Sequence, residues 1–513
     1  MLQQSGWPGE RSASQHDVEL ANEPLTPEFL AGFKHALLAS PAAQDNENLL
    51  TRSLRSVHHG DDFTYPMAIL YDFPELPDEP VLISLEQSFF TRFHDHVMIN
   101  ELPLQKQPQQ VLPPYLRLAV ACLSCAASYD ESPLQEPRDI ARKLFLAGDR
   151  LWAVMLEVDN SEARTLESVI SVLRLHAILL SMYGVLSADV AVWHPVEQYL
   201  LPSATTIARR LRLHESPLTN GTTTPQLINP KARSSVIACL LLVNVLGALH
   251  LNMPCYLTPN ELGIHLGPEP VTFSQIYTSL LDPDLALAAG PASQCMPSLL
   301  LIAVLTDCIC LRRSLADLVS LGSEDSKSHR GAQLAYNPHQ VLSPVREYRR
   351  MEDRLSSALD KWMERFGHDA APDNLALAYF CRLYLASPEL SILPRLAHYP
   401  PVVQRENLSA VDSSVNVSDQ SVAHAWAILE NVDTRSKDED TMCAIWSPII
   451  VFYAALVVWA RSQQRNDQGT KAGSVKQLLV FKLELERMRW PCCVEMASTL
   501  DRLMEQGRSS IRH

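Results

Sequence analysis

The chain has 513 residues, enough for more than one domain's worth of core, and its 47% apolar and 20% charged content is that of an ordinary globular protein. Glycine is scarce (17) and proline plentiful (35), which favours helices punctuated by prolines. With 43 Lys and Arg against 58 Asp and Glu the net charge is −15, which argues against non-specific binding of phosphate backbones.

The first twenty residues lack an apolar stretch between charged and small-residue flanks, so no signal peptide is expected. The longest apolar runs, 236–249 (broken by Asn244) and 448–460, are short for a membrane span and read as buried helices. Eleven cysteines, an odd number, are scattered through apolar runs. This pattern predicts reduced thiols in a cytosolic or nuclear protein. The glycosylation-like triplets at Asn220, Asn407 and Asn416 are then chance matches.

Residues 1–80 read as a poorly ordered, acidic and proline-containing arm with a weak helix at 27–40. From Ser84 the pattern becomes helix after helix. Leu85, Phe89, Phe90 and Phe93 share one face over 85–96, and Pro113 and Pro114 open 115–127. Pro137 opens a helix to about 158, with Ile140, Leu144, Leu151 and Met155 in register. Then come 165–186, a pair across 190–214, and a helix from Pro230 to about 251. The helix at 298–321, which carries Asp307 within an apolar run, closes a first helical half, 84–322. A polar linker, 323–342, leads to a second half, 343–507, expected to pack on the first. Its clearest helix is 343–366, where Val345, Tyr348, Met351, Leu355, Leu359, Trp362 and Phe366 form one apolar stripe. Helices at 371–396, 421–432, 446–461 and 478–489 follow, with a polar loop at 404–419, and Pro491 opens the last helix, ending near Gly507. There is no alternating strand pattern and no internal repeat. The chain reads as all-α: an array of about fifteen helices behind a poorly ordered N-terminal arm.

The chemistry-bearing residue types are thinly spread. Cys122 and Cys125 have the spacing of half a zinc site, but the position where a finger needs histidine is Arg138, and the next histidine is His176. Lying in an apolar helix, they read as two buried small residues. Cys308/Cys310 and Cys492/Cys493 likewise lack partner ligands in sequence. His94-Asp95-His96 is too little for a metal-dependent phosphohydrolase and reads as a helix terminus facing solvent. Asp61-Asp62 lacks the third carboxylate of a diphosphate-binding motif, and Asp159 with Glu162 has the wrong spacing. No glycine-rich phosphate loop and no nucleophile elbow occurs. The basic pieces Arg209-Arg210-Leu211-Arg212 and 346–354 are short, and the second is interleaved with Glu347, Glu352 and Asp353, as on a solvated face. No catalytic, cofactor-binding, DNA-binding or metal residue is expected.

Several segments follow a known order. FFTRFHDHVMINELPL at 89–104, LPPYLRLAVACLSCAAS at 112–128 and ARKLFLAGDRLW at 141–152 come first. TLESVISVLRLHAILLSMYGVLSAD at 165–189 follows, with Tyr183-Gly184, Ser187, Ala188, Asp189 and then Trp193 as its landmarks. ATTIARRLRLHES at 204–216 precedes a helix opened by Arg233, and then Pro254, Leu257, Glu261, Leu262, Leu266 and Pro268 appear in order. HAWAILENVD at 424–433 and IWSPIIVFYAALVVWA at 445–460 are late members. Over 89–504 this order resembles the fungal-specific transcription factor domain, or middle homology region, in the branch that follows paired two-Cys two-His zinc fingers. The chain departs from that pattern where Arg233 is followed by Ser234, Ser235 and Val236, and in carrying neither a zinc cluster nor zinc fingers.

The resemblance implies a nuclear regulator of RNA polymerase II genes, often of a secondary-metabolism pathway, and not an enzyme. Its helical domain would act as sensor and scaffold, pairing with a second copy or a partner transcription factor and taking a small-molecule effector between helices. Zinc and DNA contacts would belong to an upstream or separate module. The acidic, Pro- and Phe-bearing 61–80 segment reads first as a solvated linker, with a transactivation or autoinhibitory arm as the alternative. Two alternatives are an all-α enzyme of a fungal biosynthetic pathway, weakened by the lack of clustered carboxylates or of a nucleophile beside a base, and a scaffold partner of a transcription factor without DNA contacts of its own.

Overall fold

The computed structural model describes residues 73–93, 96, 99, 114–127, 136–157, 177–210, 212–215, 230–265, 271–287, 295–324, 344–403, 415–433, 443–464, 468–488 and 490–512. Most of the expected arm, 1–72, and most of the expected linker, 325–343, lie outside them. Among the described residues the chain is helical with no strand.

Proline explains where many helices begin. It occupies the first or second position of α1 (Glu79–Arg92), α2 (Pro114–Ala127) and α3 (Glu136–Glu157). There its fixed φ suits the first turn and its missing N–H costs nothing. The stretch α4 (Ala177–Leu186) leads to α5 (Val190–Pro195), a π turn (Val196–Leu200) and α6 (Leu201–Arg210). Proline recurs at the start of α7 (Pro230–His250), whereas α8 (Phe273–Leu281) starts from a capping box: Thr272 Oγ1 accepts from Gln275 N, and Gln275 Oε1 accepts from Thr272 N. Then come α9 (Met296–Glu324), α10 (Pro344–Phe366) and α11 (Pro372–Ala386). Two short helices, α12 (Leu393–Leu396) and α13 (Pro400–Val403), precede α14 (Asp419–Asp433), α15 (Ser447–Gln464), α16 (Gln468–Arg487) and α17 (Pro491–Arg512).

Neighbours in sequence pack as hairpins: α2 on α1 and α3, α10 on α9, α14 on α11 and α15, and α16 on α15 and α17. The centre is built from helices that are apolar all round. Residues 236–243 of α7, 299–306 of α9 and 449–458 of α15 are buried on every side. The 18-residue stretch Arg233–His250 is apolar and long enough to cross a membrane, and 94% of it is buried inside the protein. Tyr453 of α15 donates to the Leu249 carbonyl at the end of α7 (2.8 Å), linking the two. The stripe expected on α10 delivers Leu355, Leu359 and Trp362 into the core, and Trp362 Nε1 donates to the Pro297 carbonyl (2.9 Å).

The first helix closes on the last part of the chain. Phe93 meets Trp490 with ring centroids 6.0 Å apart, and His96 meets Trp446 at 6.1 Å. Arg117 of α2 is buried between Glu79 (2.9 Å) and Glu86, both on α1.

The expected boundaries differ in four places. Helix α1 starts five residues before Ser84, and Leu76, expected within the arm, is buried in the core. The expected pair over 190–214 is instead one run, 190–210, in which Pro195 removes a backbone donor and the next residues form the π turn. Helix α8 was not expected from hydrophobic spacing. Helix α16 begins ten residues before the expected 478, and α17 starts at Pro491 as expected but runs past Gly507 to Arg512.

Candidate functional site

The residues that carry the family resemblance sit at joints between helices. Tyr183 and Gly184 lie on α4, where it crosses the π turn. A Cβ at Gly184 would stand 2.2 Å from Val196 Cγ2, so the crossing has room only for glycine. Ser187 and Asp189 form the turn that follows. Asp189 caps α5 by accepting from Ala191 N (2.9 Å), Ser187 Oγ accepts from Asp189 N (3.1 Å), and Trp193 Nε1 donates to Ser187 O (2.8 Å). Arg233, near the start of α7, donates to the carbonyls of Leu213 (2.8 Å), Glu215 (2.8 Å) and Arg212. It thereby satisfies the backbone leaving α6, where Arg212 has φ of 50°.

The stretch 252–265 after α7 is held to the same region. Asn244, the polar break in the α7 run, is buried; its Oδ1 accepts from Tyr256 N (3.2 Å). Leu257 and Leu262 are buried, and Gly263 N donates to His214 O (2.7 Å). Glu261 closes a capping box with Thr258 and pairs with Arg209 of α6 at 2.9 Å. Burial pushes its carboxyl up, but Arg209 and the Thr258 hydrogen bonds outweigh that and hold it below the usual range. Leu266 and Pro268 lie outside the described residues.

Beneath this stretch is a set of polar side chains between α7, α8 and α9. Tyr277 is fully buried, and its hydroxyl donates to Asp307 Oδ2 at 2.7 Å. Burial raises the Asp307 carboxyl above its ordinary range against the opposing Tyr277 hydrogen bond. Arg313 of α9 donates to Met253 O (2.6 Å), Ala248 O (3.0 Å) and Asn252 Oδ1 (3.2 Å). Cys255 and Cys310 meet beside it. Deeper still, His250 at the end of α7 contacts Val185 O and Tyr399 Oη.

The residues weighed from sequence fall as follows. Cys122 is fully buried, its Sγ donates to Ala141 O (3.3 Å), and burial pushes its thiol up; Cys125 is pushed to about 12. Both are core residues. His96 is a correction: expected to face solvent, it is buried, with Nδ1 3.3 Å from Ile99 N and Nε2 3.2 Å from Ile445 N. A neutral ring accepts from only one of these amides. The reason for its burial is long-range, because the turn before α15 covers the end of α1. His94, Asp95, Asp61, Asp62, Asp159 and Glu162 lie outside the described residues. Among the basic pieces, Arg209 pairs with Glu261, Arg350 with Glu347 (3.9 Å), and Arg354 donates to Leu281 O (3.4 Å). Among the described residues no group of three or more His, Cys, Asp or Glu is placed to hold a metal ion.

Sequence reasoning did not find the pairs Tyr277–Asp307, Cys255–Cys310 or His250–Tyr399. The one available signal was Asp307, a carboxylate inside an apolar helix. On α16 and α17, Leu479, Val480, Leu483 and Val494 are exposed apolar side chains. No family model matches the chain, nor does any curated protein or solved structure.

Proposed function

We propose that this chain is a regulatory helical domain of the fungal transcription factor type, acting in the nucleus on genes read by RNA polymerase II, with a secondary-metabolism pathway as its setting. The observation that carries this reading is the order of Tyr183-Gly184, Ser187, Asp189, Trp193, Arg233, Pro254 and Glu261 in the sequence. The physical role of these residues supports it. Gly184, Asp189, Arg233 and Glu261 each fix a junction between consecutive helices, and such landmarks can persist while the surrounding apolar residues vary.

In this reading the domain is no enzyme; it transmits regulation through packing. DNA contact comes through another module, which also supplies any zinc. The partner is a second copy or another transcription factor, and the exposed apolar side chains of α16 and α17 suit such a contact. A small-molecule effector acts by binding one arrangement of the helices better than another.

The test is to fuse the full chain to a heterologous DNA-binding domain in a fungal host and measure transcription from a reporter carrying the matching sites. Reporter output changes several-fold relative to the DNA-binding domain alone if the reading holds. Unchanged output from a stably expressed, nuclear fusion overturns it.

A further inference from the structure

Side-chain contacts hang the run 190–210 on α3. Arg142 pairs with Asp189, just ahead of α5 (3.2 Å). One turn after another, Asp149 Oδ2 accepts from the Tyr199 hydroxyl in the π turn, and Trp152 Nε1 donates to Ser203 Oγ on α6 (3.1 Å). The Asp149 contact is incomplete: its Oδ1 is sealed from solvent with no hydrogen-bond partner among the described residues. The backbone opposite is the irregular part of the run. Pro195 has no N–H to offer, and Leu201 N reaches back five residues to Val196 O. A π turn is a local bulge in an α-helix, so its pairing can change while α5 and α6 stay helical.

We propose that Asp149 and Tyr199 form an acid-set latch on the π turn: with the carboxyl protonated the run 190–210 stays closed on α3, and with the carboxylate charged the π turn opens locally and lets water reach Oδ1. A carboxylate taken out of water needs several donors, and here Tyr199 supplies one. Burial pushes the Asp149 carboxyl up to about 6, against the Tyr199 hydrogen bond and the charge of Arg150. In the open state the acid is hydrated and returns to about 3.9. The closed state therefore holds more protons than the open one. Opening grows as pH rises between these values and is level above 6.

The neighbouring groups do not replace Asp149 in this window. The Tyr199 hydroxyl is pushed up by burial and by Asp149, and stays neutral. On α2, packed along α3, burial pushes up the thiols of Cys122 and Cys125. Arg142 and Arg150 stay charged throughout. The run itself carries Asp189, His194, which is exposed, and Glu197, which is half-buried. All three remain in D149N, so that variant separates their titration from the latch.

The test is amide hydrogen exchange of the full chain between pH 4.5 and 7.5, read by mass spectrometry and corrected for the pH dependence of intrinsic exchange. Peptides covering 190–210 report the latch, and peptides from the buried centre of α15 report global unfolding. Opening of 190–210 is expected to rise roughly thirtyfold from pH 4.5 to 6 and then level off. In D149N the profile is flat. Y199F removes the hydrogen bond that favours the charged carboxyl, so its rise continues to higher pH, whereas a merely structural loss raises exchange equally at every pH. A flat wild-type profile, the same rise in D149N, or a rise shared in full by α15 overturns the proposal. Should D149N fail to fold, an unshifted Y199F profile overturns it instead.

Discussion

His250 Nε2 lies 2.8 Å from the hydroxyl of Tyr399, a residue 149 positions further along the chain, and both side chains are buried. The other ring nitrogen, Nδ1, faces the Val185 carbonyl. A carbonyl only accepts, so Nδ1 carries the proton and Nε2 accepts from Tyr399. One imidazole therefore fastens α7 to α4 and to the turn after α12.

Burial pushes the His250 imidazole down to about 4, against the Val185 hydrogen bond. Its unfolded value is about 6.5, so the folded state holds fewer protons between these values. Stability from the neutral ring is complete above pH 6.5 and is lost as the pH falls to 4, by roughly 3 kcal/mol. Urea unfolding across pH 4.5–7.5 should show H250Q with a flatter acid slope than wild type. Y399F should keep the slope and lose about 1 kcal/mol at pH 7.

Asp149 works in the opposite direction. Its Oδ2 accepts from the Tyr199 hydroxyl, while Oδ1 is buried without a partner. Burial pushes the carboxyl up to about 6, opposed by Tyr199 and Arg150. The folded state holds more protons than the unfolded chain, so this contribution is full below pH 3.8 and is lost as pH rises through 6. The two groups oppose one another in one window. D149N should steepen the acid slope that H250Q flattens, gaining roughly 3 kcal/mol relative to wild type between pH 4 and 7.

The joint at Gly184 tests the packing account. G184A places a methyl against Val196 Cγ2 and should cost about 1–3 kcal/mol. Adding V196A to G184A should recover part of that loss, which a defect elsewhere in α4 would not allow. Thermal unfolding of the three variants decides it.

Arg312 offers a second test. It is buried on α9, pairs with Glu352 of α10 (3.0 Å), and also meets Tyr348 and the Leu385 carbonyl of α11. E352A leaves the guanidinium short of its counter-ion and should cost about 3 kcal/mol. R312M with E352L should cost less than the sum of the single changes, measured as a double-mutant cycle.

Much of the helical architecture was legible because it follows local rules. Prolines at 114, 230, 344, 372 and 491 mark helix starts, and the 345–366 stripe reads directly as a buried face. Helix α8 was missed because it is short, although Thr272 and Gln275 spell its cap. The early turns of α16 were hidden by Gly469 and Gly473. His96, Cys255 with Cys310, and His250 with Tyr399 were not legible at all. Their partners come from distant segments, and no local pattern encodes those meetings.

The central claim is that the chain regulates transcription. In the organism that carries the gene, the tagged native protein can be withdrawn from the nucleus within minutes and nascent RNA sequenced at once. The account predicts that a coherent set of RNA polymerase II transcripts changes several-fold before secondary effects develop. A tagged protein found only outside the nucleus, or unchanged nascent transcription after complete withdrawal, would contradict it.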